Sequence, residues 1–206
     1  MLKIKLTKGE LKRQRDALQQ YRRYLPTLQL KKQQLQMEIQ RWHAVEREKA
    51  RILNAKMLAA AAWAGLLSQD TGVDIKQWLI PSQIVTVTRN IAGIDVPGFE
   101  RAIFPDAEYD LFLVPPWVDR AIVSLRDLIS CRREIAVIAG AIAILRNELL
   151  ITSQRVNLFE KVKIPESQEA IRRIKIYIGD QLANAVGRCK IAKRKIEELE
   201  AAGVAA

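Results

Sequence analysis

The chain has 206 residues and is 49% hydrophobic, and its nine glycines and seven prolines are too few for a disordered or collagen-like protein. Its net charge of +11 is unevenly spread: residues 1–56 hold 15 basic and 5 acidic side chains, residues 57–119 hold 3 and 8, and residues 120–206 hold 16 and 10. Two basic ends that flank an acidic middle indicate a polarised molecule whose ends meet different partners.

The first predicted element, in the amino-terminal segment of residues 1–67, is a long helix from about Lys8 to Leu67. Apolar side chains recur at alternating steps of three and four, the spacing of a coiled-coil stripe. The stripe consists of Leu18, Tyr21, Leu25, Leu28, Lys32, Leu35, Ile39 and Trp42, all of them apolar except Lys32. Pro26 predicts a local kink, because proline removes one backbone donor. From Met57 to Leu67 the helix becomes apolar on every side, which predicts burial on more than one face.

The middle, residues 68–116, is predicted to be an irregular insert with a short β-hairpin at about residues 84–97. Residues 84–88 are β-branched, residues 90–93 can form a turn, and residues 94–96 can return as a second strand. An isolated hairpin is marginally stable in water, so it is expected to lean on the helices or on a partner. We expect deletion of residues 84–97 to leave helicity and thermal stability nearly intact.

The last predicted element is a second long helix over residues 117–206, which begins after the pair Pro115 and Pro116. Its apolar stripe has the same spacing in a first part and shifts phase after Pro165, where we expect a break or kink. The stripe consists of Leu128, Cys131, Ile135, Ile138, Ile142, Leu145, Leu149, Thr152, Val156 and Phe159, then Ile171, Ile174, Ile178, Leu182, Ile196 and Leu199.

These elements predict a mostly α fold: a long antiparallel two-helix coiled coil from the two terminal segments, with a small β-hairpin in the middle, in a single structural unit. Aligning the most apolar parts of the two helices places Ala62 opposite Gly140, so that paired residue numbers add up to about 202. The same register brings two basic groups together at one end. They are Lys12, Arg13 and Arg15 near the amino terminus, and Lys190, Lys193 and Arg194 near the carboxyl terminus.

The chain carries none of the usual motifs of catalysis or cofactor binding. No phosphate-binding glycine loop, zinc-ligand spacing or nucleophile elbow occurs, so no catalytic, cofactor or metal residue is predicted and an enzyme is not expected. The single histidine, His43, is expected to be a partly exposed helix residue. Cys131 and Cys189 lack metal spacing and favour a reducing cytosol.

Membrane insertion and secretion are not expected either. The amino terminus has no apolar core of a signal peptide. The longest uninterrupted apolar run, Ile135 to Leu145, has eleven residues, whereas a spanning helix needs about 20. These features predict a chain without a membrane span of its own.

Three interpretations of the basic ends remain open. They can bind nucleic acid, they can be the solvated surface of a coiled coil, or they can dock in an acidic protein cavity. No aromatic residue lies among the basic ones near the carboxyl terminus, which disfavours base stacking. The corresponding alternative function is a free-standing coiled-coil adaptor or a basic nucleic-acid-binding helical arm.

One stretch is informative beyond its periodicity. Residues 155–165, RVNLFEKVKIP, resemble a motif of the D subunit of the V-type and A-type rotary ATPases. The residues that carry this resemblance are Arg155, Asn157, Glu160, Ile164 and Pro165. Residues 89–97, RNIAGIDVP, look like the hairpin of that family, through Arg89, Asn90, Gly93 and Pro97. Leu6-Thr7-Lys8 and residues 25–32 are similar to a bacterial branch of it.

The resemblance implies a central rotor shaft that carries no nucleotide chemistry and no cofactor. Such a shaft transmits torque between an ATP-hydrolysing or ATP-synthesising head and an ion-translocating membrane ring. The implied partners are the catalytic and nucleotide-binding subunits of the head, the F subunit and a funnel-shaped stalk subunit. The implied location is cytoplasmic and peripheral to the membrane. The basic residues at the ends would contact the head cavity, the hairpin would modulate activity, and no nucleic acid would be bound.

Overall fold

Two long helical segments and one β-hairpin make up the part of the chain that the computed structural model describes, residues 5–69, 72, 74–110, 112 and 114–204. The elements in chain order are α1 (Lys8–Ala61), β1 (Gln83–Ile91), β2 (Ile94–Ile103), α2 (Trp117–Asn157) and α3 (Ile164–Val204). A π-helical segment, Leu158–Lys163, joins α2 to α3, and short 3₁₀ turns occupy Ala64–Ser68 and Ile75–Trp78. The predicted fold class is confirmed.

Helix α1 begins where its sequence supplies a cap. The Thr7 hydroxyl accepts a hydrogen bond from the backbone N–H of Glu10 at 3.3 Å, which satisfies one of the free donors of the first turn. The helix continues through Pro26 and ends at Ala61, before the predicted end at Leu67. A 3₁₀ turn follows instead of further α-helix.

Packing divides the chain into two compact units. One unit consists of Lys31–Thr152, and the other consists of Met1–Leu30 together with Ser153–Ala206. We call them the insert unit and the terminal unit. The insert unit contains the hairpin and most of α2, and the terminal unit contains α3 and the start of α1.

In the insert unit, α1 and α2 run antiparallel, and three cross-helix ion pairs define their register. Lysine Nζ atoms on α1 meet carboxylates on α2 at 3.0, 2.8 and 2.6 Å. The pairs are Lys31–Glu148, Lys49–Glu134 and Lys56–Asp127. Their residue numbers add up to between 179 and 183, so the predicted value of about 202 was wrong. The prediction aligned the two most apolar stretches, whereas charge pairing and side-chain fit set the observed register.

The main core of the insert unit confirms the central part of the predicted stripe. Leu35, Ala141 and Leu145 are fully buried, and Ile39 is 8% exposed. Trp42 and Leu149 pack at the margin of this cluster. Burying a side chain such as Leu35, Ile39 or Leu145 stabilises the fold by about 1.5–3 kcal/mol, so this cluster is a substantial apolar contact between α1 and α2.

The apolar stretch at the end of α1 is exposed, so the prediction of burial on more than one face was wrong for this chain alone. Met57 is 55% exposed and Leu58 is 76% exposed. In the observed register these residues lie level with the first turns of α2, where Val123 is also 68% exposed. A single neighbouring helix can cover only one face of this all-apolar stretch, so side chains on its other faces stay exposed.

The hairpin is longer than predicted and turns at Ala92 and Gly93, which both have positive φ values of 52° and 77°. Two successive residues with positive φ are typical of the type I′ turn that matches the twist of paired strands. The expectation that the hairpin leans on the helices is confirmed. Val96 is fully buried in the main core, and Ile91 and Ile94 pack against it.

A second cluster of buried residues fixes the ends of the insert to α2. Trp78, Val114, Val118 and Ile122 are all at most 7% exposed. Arg126 on α2 reinforces this attachment. Its Nε donates to the carbonyl of Trp78 at 3.1 Å, and its Nη2 donates to the carbonyl of Pro105 at 2.5 Å. One side chain thus holds the segment before β1 and the segment after β2.

Within the terminal unit, the ring centroids of Tyr21 on α1 and Phe159 lie 5.2 Å apart. Val156, Ala170 and Ile174 are at most 4% exposed. Beyond Ile178 the stripe is exposed, with Leu182 and Ile196 both at 56%. The last apolar residues of the predicted stripe are therefore not buried by other described residues.

The helical stretch Trp117–Leu199 contains an 18-residue window with a mean hydropathy of 1.8, of which 28% is buried. By length and composition this helix could cross a membrane, although the longest uninterrupted apolar run predicted otherwise. The core helix of a soluble protein meets the same criterion. Here Ala141 and Leu145 of this stretch are buried against α1 and the hairpin.

Candidate partner-binding surfaces

The basic residues predicted to contact a partner all lie on exposed helix surfaces of the terminal unit. Lys12, Arg13 and Arg15 lie on α1, and Lys190, Lys193 and Arg194 lie on α3. The only ion pairs they form in the described part of the chain are one helical turn away. Arg13 pairs with Glu10 at 3.8 Å, Lys193 with Glu197 at 3.6 Å and Arg194 with Glu198 at 3.3 Å. Such pairs are weak and exchangeable.

The register of the terminal unit keeps these two basic groups apart. The contact between Tyr21 and Phe159 places Lys12 level with about residue 168 of α3. Lys190 is then about 22 residues further along, or roughly 33 Å at ~1.5 Å per residue. The two groups are therefore two separate surfaces, and the expected basic cluster at one end does not form.

The family-motif residues surround the π-helical segment. Arg155, Asn157 and Glu160 are exposed, Ile164 is half-buried and Pro165 is exposed. The backbone N–H of Ile164 donates to the carbonyl of Phe159, five residues earlier, which is the π-helical pattern. Proline has no N–H and its ring crowds the carbonyl four residues before it, so a widened turn relieves a strain that a regular helix would carry. The expected break at Pro165 is therefore a π-helical segment within a continuing helix.

The hairpin residues of the resemblance serve the turn and the strand pairing. Asn90 donates to the Asp95 carboxylate at 2.7 Å and accepts from the backbone N–H of Gly93 at 3.2 Å. Pro97 pairs with Thr88 within the sheet. The Arg89 side chain crosses Gly98, where an added Cβ would lie 3.1 Å from Arg89 Nε. Glycine at position 98 thus lets Arg89 lie along the hairpin surface.

His43 belongs to a polar network that the sequence did not predict. Its Nε2 lies 2.8 Å from Arg146 Nη2, and its Nδ1 lies 2.9 Å from Glu46 Oε2. A guanidinium can only donate, so Nε2 accepts from Arg146 and Nδ1–H donates to Glu46. Arg146 is 103 residues away in sequence. No local pattern could have indicated this contact, which adds a fourth polar link between α1 and α2.

Two ionisable groups of the insert unit have pKa values shifted by their hydrogen bonds. The bond from Lys49 to Glu134 raises the pKa of Lys49, and burial offsets this only in part. The Tyr109 hydroxyl donates to Asp119, which together with burial raises the pKa of Tyr109. Both contacts are structural links to α2.

The Lys49–Glu134 pair predicts a small pH-dependent contribution to stability. A raised lysine pKa means that the contribution is complete below the unfolded pKa of about 10.4 and is lost as the pH rises through the folded value. We expect Lys49→Met to lower the free energy of unfolding by under about 1 kcal/mol at pH 7, since the pair is partly solvated. Urea unfolding should show that the difference in the free energy of unfolding between wild type and Lys49→Met becomes smaller above about pH 10.4. Lys175→Met, which removes an exposed lysine with no ion pair to a described residue, is the control; an equal loss there would contradict the assignment.

In the part of the chain that the structure describes, no group of three or more His, Cys, Asp or Glu side chains could hold a metal ion. Cys131 is buried, with Sγ 3.9 Å from the carbonyl of Lys49, and Cys189 is exposed.

The described chain has a mostly helical fold with one inserted β-hairpin, and comparison with known proteins specifies the family. The family model for the ATP synthase D subunit matches residues 10–194. The V-type ATP synthase D subunit of Borreliella burgdorferi is 43% identical over 199 residues, 95% of this chain and 96% of the relative. Those of Chlamydia caviae and of Chlamydia trachomatis serovar L2 are 34% and 32% identical, over 95% of this chain and 94% and 97% of their own lengths.

The chain belongs to the family of ATP synthase D subunits. The resemblance of residues 155–165 and 89–97 to that family is confirmed by matches along nearly the whole chain.

Proposed function

We propose that this protein is the central rotor shaft of a V/A-type rotary ATPase and transmits torque between the ATP-hydrolysing or ATP-synthesising head and the ion-translocating membrane ring. The observation that carries the proposal is the 43% identity to a V-type ATP synthase D subunit over 95% of this chain. The shaft itself performs no catalysis in this proposal. Its place is cytoplasmic and peripheral to the membrane.

The packing of the insert unit supports a role in carrying load. Apolar contacts join α1 to α2 at Leu35, Ile39, Ala141 and Leu145. Ion pairs lie on both sides of that core, from Lys31–Glu148 to Lys56–Asp127. At ~1.5 Å per residue, the lysines of these two pairs are roughly 37 Å apart along α1. Two helices linked at many points resist sliding past each other, which is what transmission of torque requires.

The exposed surfaces support partners at more than one place. The partners in this proposal are the catalytic and nucleotide-binding subunits of the head, the F subunit and a funnel-shaped stalk subunit. The basic groups on α1 and α3 suit an acidic head cavity, because long cationic side chains can exchange partners at little cost during rotation. The exposed apolar residues Met57, Leu58 and Val123 suit a static partner, since such side chains favour burial.

Co-purification tests the proposal. A tagged copy of this chain, expressed in its own cell, should recover the head subunits and the F subunit in fixed ratios. Recovery of none of them, together with DNA or RNA binding that weakens steeply with salt, would support the nucleic-acid-binding arm instead.

Charge reversal tests the basic surfaces. We expect each of two double variants to weaken association with the head at low salt: Lys12→Glu with Arg13→Glu, and Lys193→Glu with Arg194→Glu. Each double variant replaces two exposed cations with carboxylates. The loss should be about tenfold or less and should shrink at high salt, because exposed charges are screened. Native gel assembly and ATP-driven ion transport are the measurements. Unchanged assembly and coupling at low salt would contradict this role.

A further inference from the structure

An open cavity of about 640 Å³ lies within the insert unit, between α2 and the segment that leads into β1. Its α2 wall includes Ile129, Arg132 and Arg133, which share one helix face because they are three and four residues apart. Its other wall includes Lys76, Ile80 and Pro81. Both walls thus combine cations with apolar side chains.

The three cations at this cavity have no anionic partner in the described part of the chain. The carboxylates nearest to them in sequence on α2 are already engaged: Glu134 pairs with Lys49 at 2.8 Å, and Asp127 pairs with Lys56 at 2.6 Å. Lys76, Arg132 and Arg133 are all exposed. The cavity is therefore lined by three cations whose charge no described carboxylate offsets through an ion pair.

The apolar part of the cavity is similarly uncovered. Ile80 is 68% exposed, whereas Pro81 and Ile129 are half-buried. An exposed isoleucine beside three cations suits a ligand that presents an apolar side chain and carboxylates together. Arginine holds carboxylates in a bidentate geometry, which makes the site selective for such groups.

We propose that this cavity binds an acidic segment of a partner protein, whose carboxylates pair with Arg132, Arg133 and Lys76 while an apolar side chain packs on Ile80 and Ile129. A protein partner fits better than a membrane surface, because interfacial binding needs a broad apolar face. This surface lies in the insert unit, whereas the basic partner-binding residues described above lie in the terminal unit. The inference does not depend on the proposed function.

Photo-crosslinking in the cell tests the proposal. The chain is produced with the photoreactive substitution Ile80→p-benzoylphenylalanine, irradiated and purified, and the attached peptide is sequenced by mass spectrometry. We expect one dominant cross-link to a peptide with several Asp or Glu residues near the attachment point. No cross-link, or a cross-link to a peptide without acidic residues, would overturn the proposal.

Charge reversal in the same background adds a specificity test. Arg132→Glu with Arg133→Glu should reduce the cross-link yield about tenfold or more, since two close charge pairs become repulsive. Arg120→Glu, an exposed arginine on the same helix, should leave the yield unchanged. Equal cross-link yields in the two variants would overturn the proposal. Circular dichroism checks that each variant keeps its helicity.

Vesicles test the lipid alternative. The purified full chain is sedimented with phosphatidylcholine vesicles that contain phosphatidylserine. We expect no binding that depends on Arg132 and Arg133. Cosedimentation that is lost in the double variant would assign the cavity to an anionic lipid headgroup and overturn the proposal. Loss of the head subunits in the co-purification experiment, by contrast, would contradict the proposed rotor role and leave the cross-link result standing.

Discussion

Leu145→Ala is expected to lower the free energy of unfolding by about 2–5 kcal/mol, the range for removing a large apolar side chain from a packed core. Leu145 is fully buried and lies in a cluster with Leu35, Ile39, Ala141 and Val96. These residues come from α1, α2 and β2, so the cavity left by the substitution cannot be filled by moving one element alone. Urea unfolding followed by circular dichroism at 222 nm is the measurement.

A matched control lies five residues further along the same helix. Leu150 is 57% exposed, so Leu150→Ala should change the free energy of unfolding by about 0.5 kcal/mol or less. A Leu145→Ala variant as stable as Leu150→Ala would contradict the observed register. In that case the apolar side chains of α1 and α2 would not meet at this level.

Val96→Asp is expected to release the hairpin from the helices and to cost about 3–5 kcal/mol, because it places an unpaired carboxylate in the core. Val96 is fully buried against α1 and α2, although its strand belongs to a hairpin with only two strands. The measurements are urea unfolding and the rate of limited proteolysis within residues 83–103, which should rise as the hairpin detaches.

Val87→Asp is the matched control, since Val87 lies on β1 of the same hairpin and is 47% exposed. It should leave both the stability and the proteolysis rate close to wild type. Equal effects of the two substitutions would show that the hairpin does not dock through Val96.

The burial of Val96 also changes the expectation for deletion of residues 84–97. The sequence predicted a nearly neutral deletion, because the hairpin was expected to modulate activity and not to hold the two helices together. In the structure the deletion removes Val96, Ile91 and Ile94 from the main core and exposes Leu35 and Leu145. We therefore expect a measurable loss of stability, so a change in activity after such a deletion would not by itself identify a regulatory role.

Much of the fold was predictable from local patterns. The apolar spacing from Leu18 to Trp42 indicated α1, and the β-branched run at residues 84–88 indicated β1. Both signals are local, because the helix period and the strand period can be read from residues only a few positions apart in sequence. The motif at residues 155–165 was recognisable for the same reason, since it is contiguous.

The register between the helices was not predictable in this way. Apolar stripes of similar composition can slide by whole turns, and the choice of Ala62 opposite Gly140 relied on composition alone. In the structure Lys49 meets Glu134 and Lys31 meets Glu148, which fixes the register by charge as well as by fit. The error of about 20 in the summed residue numbers also led to the wrong expectation that the two basic groups meet.

The sequence by itself determined the helical and hairpin segments, the charge polarity and the resemblance to the D-subunit family, because each of these is carried by contiguous residues. Only the tertiary structure decided which side chains meet across the helices. The His43–Arg146 contact, the attachment of the insert by Arg126 and the docking of Val96 all join residues far apart in sequence. Such contacts depend on one register among several with similar periodicity, and that choice is made by packing and charge pairing in three dimensions.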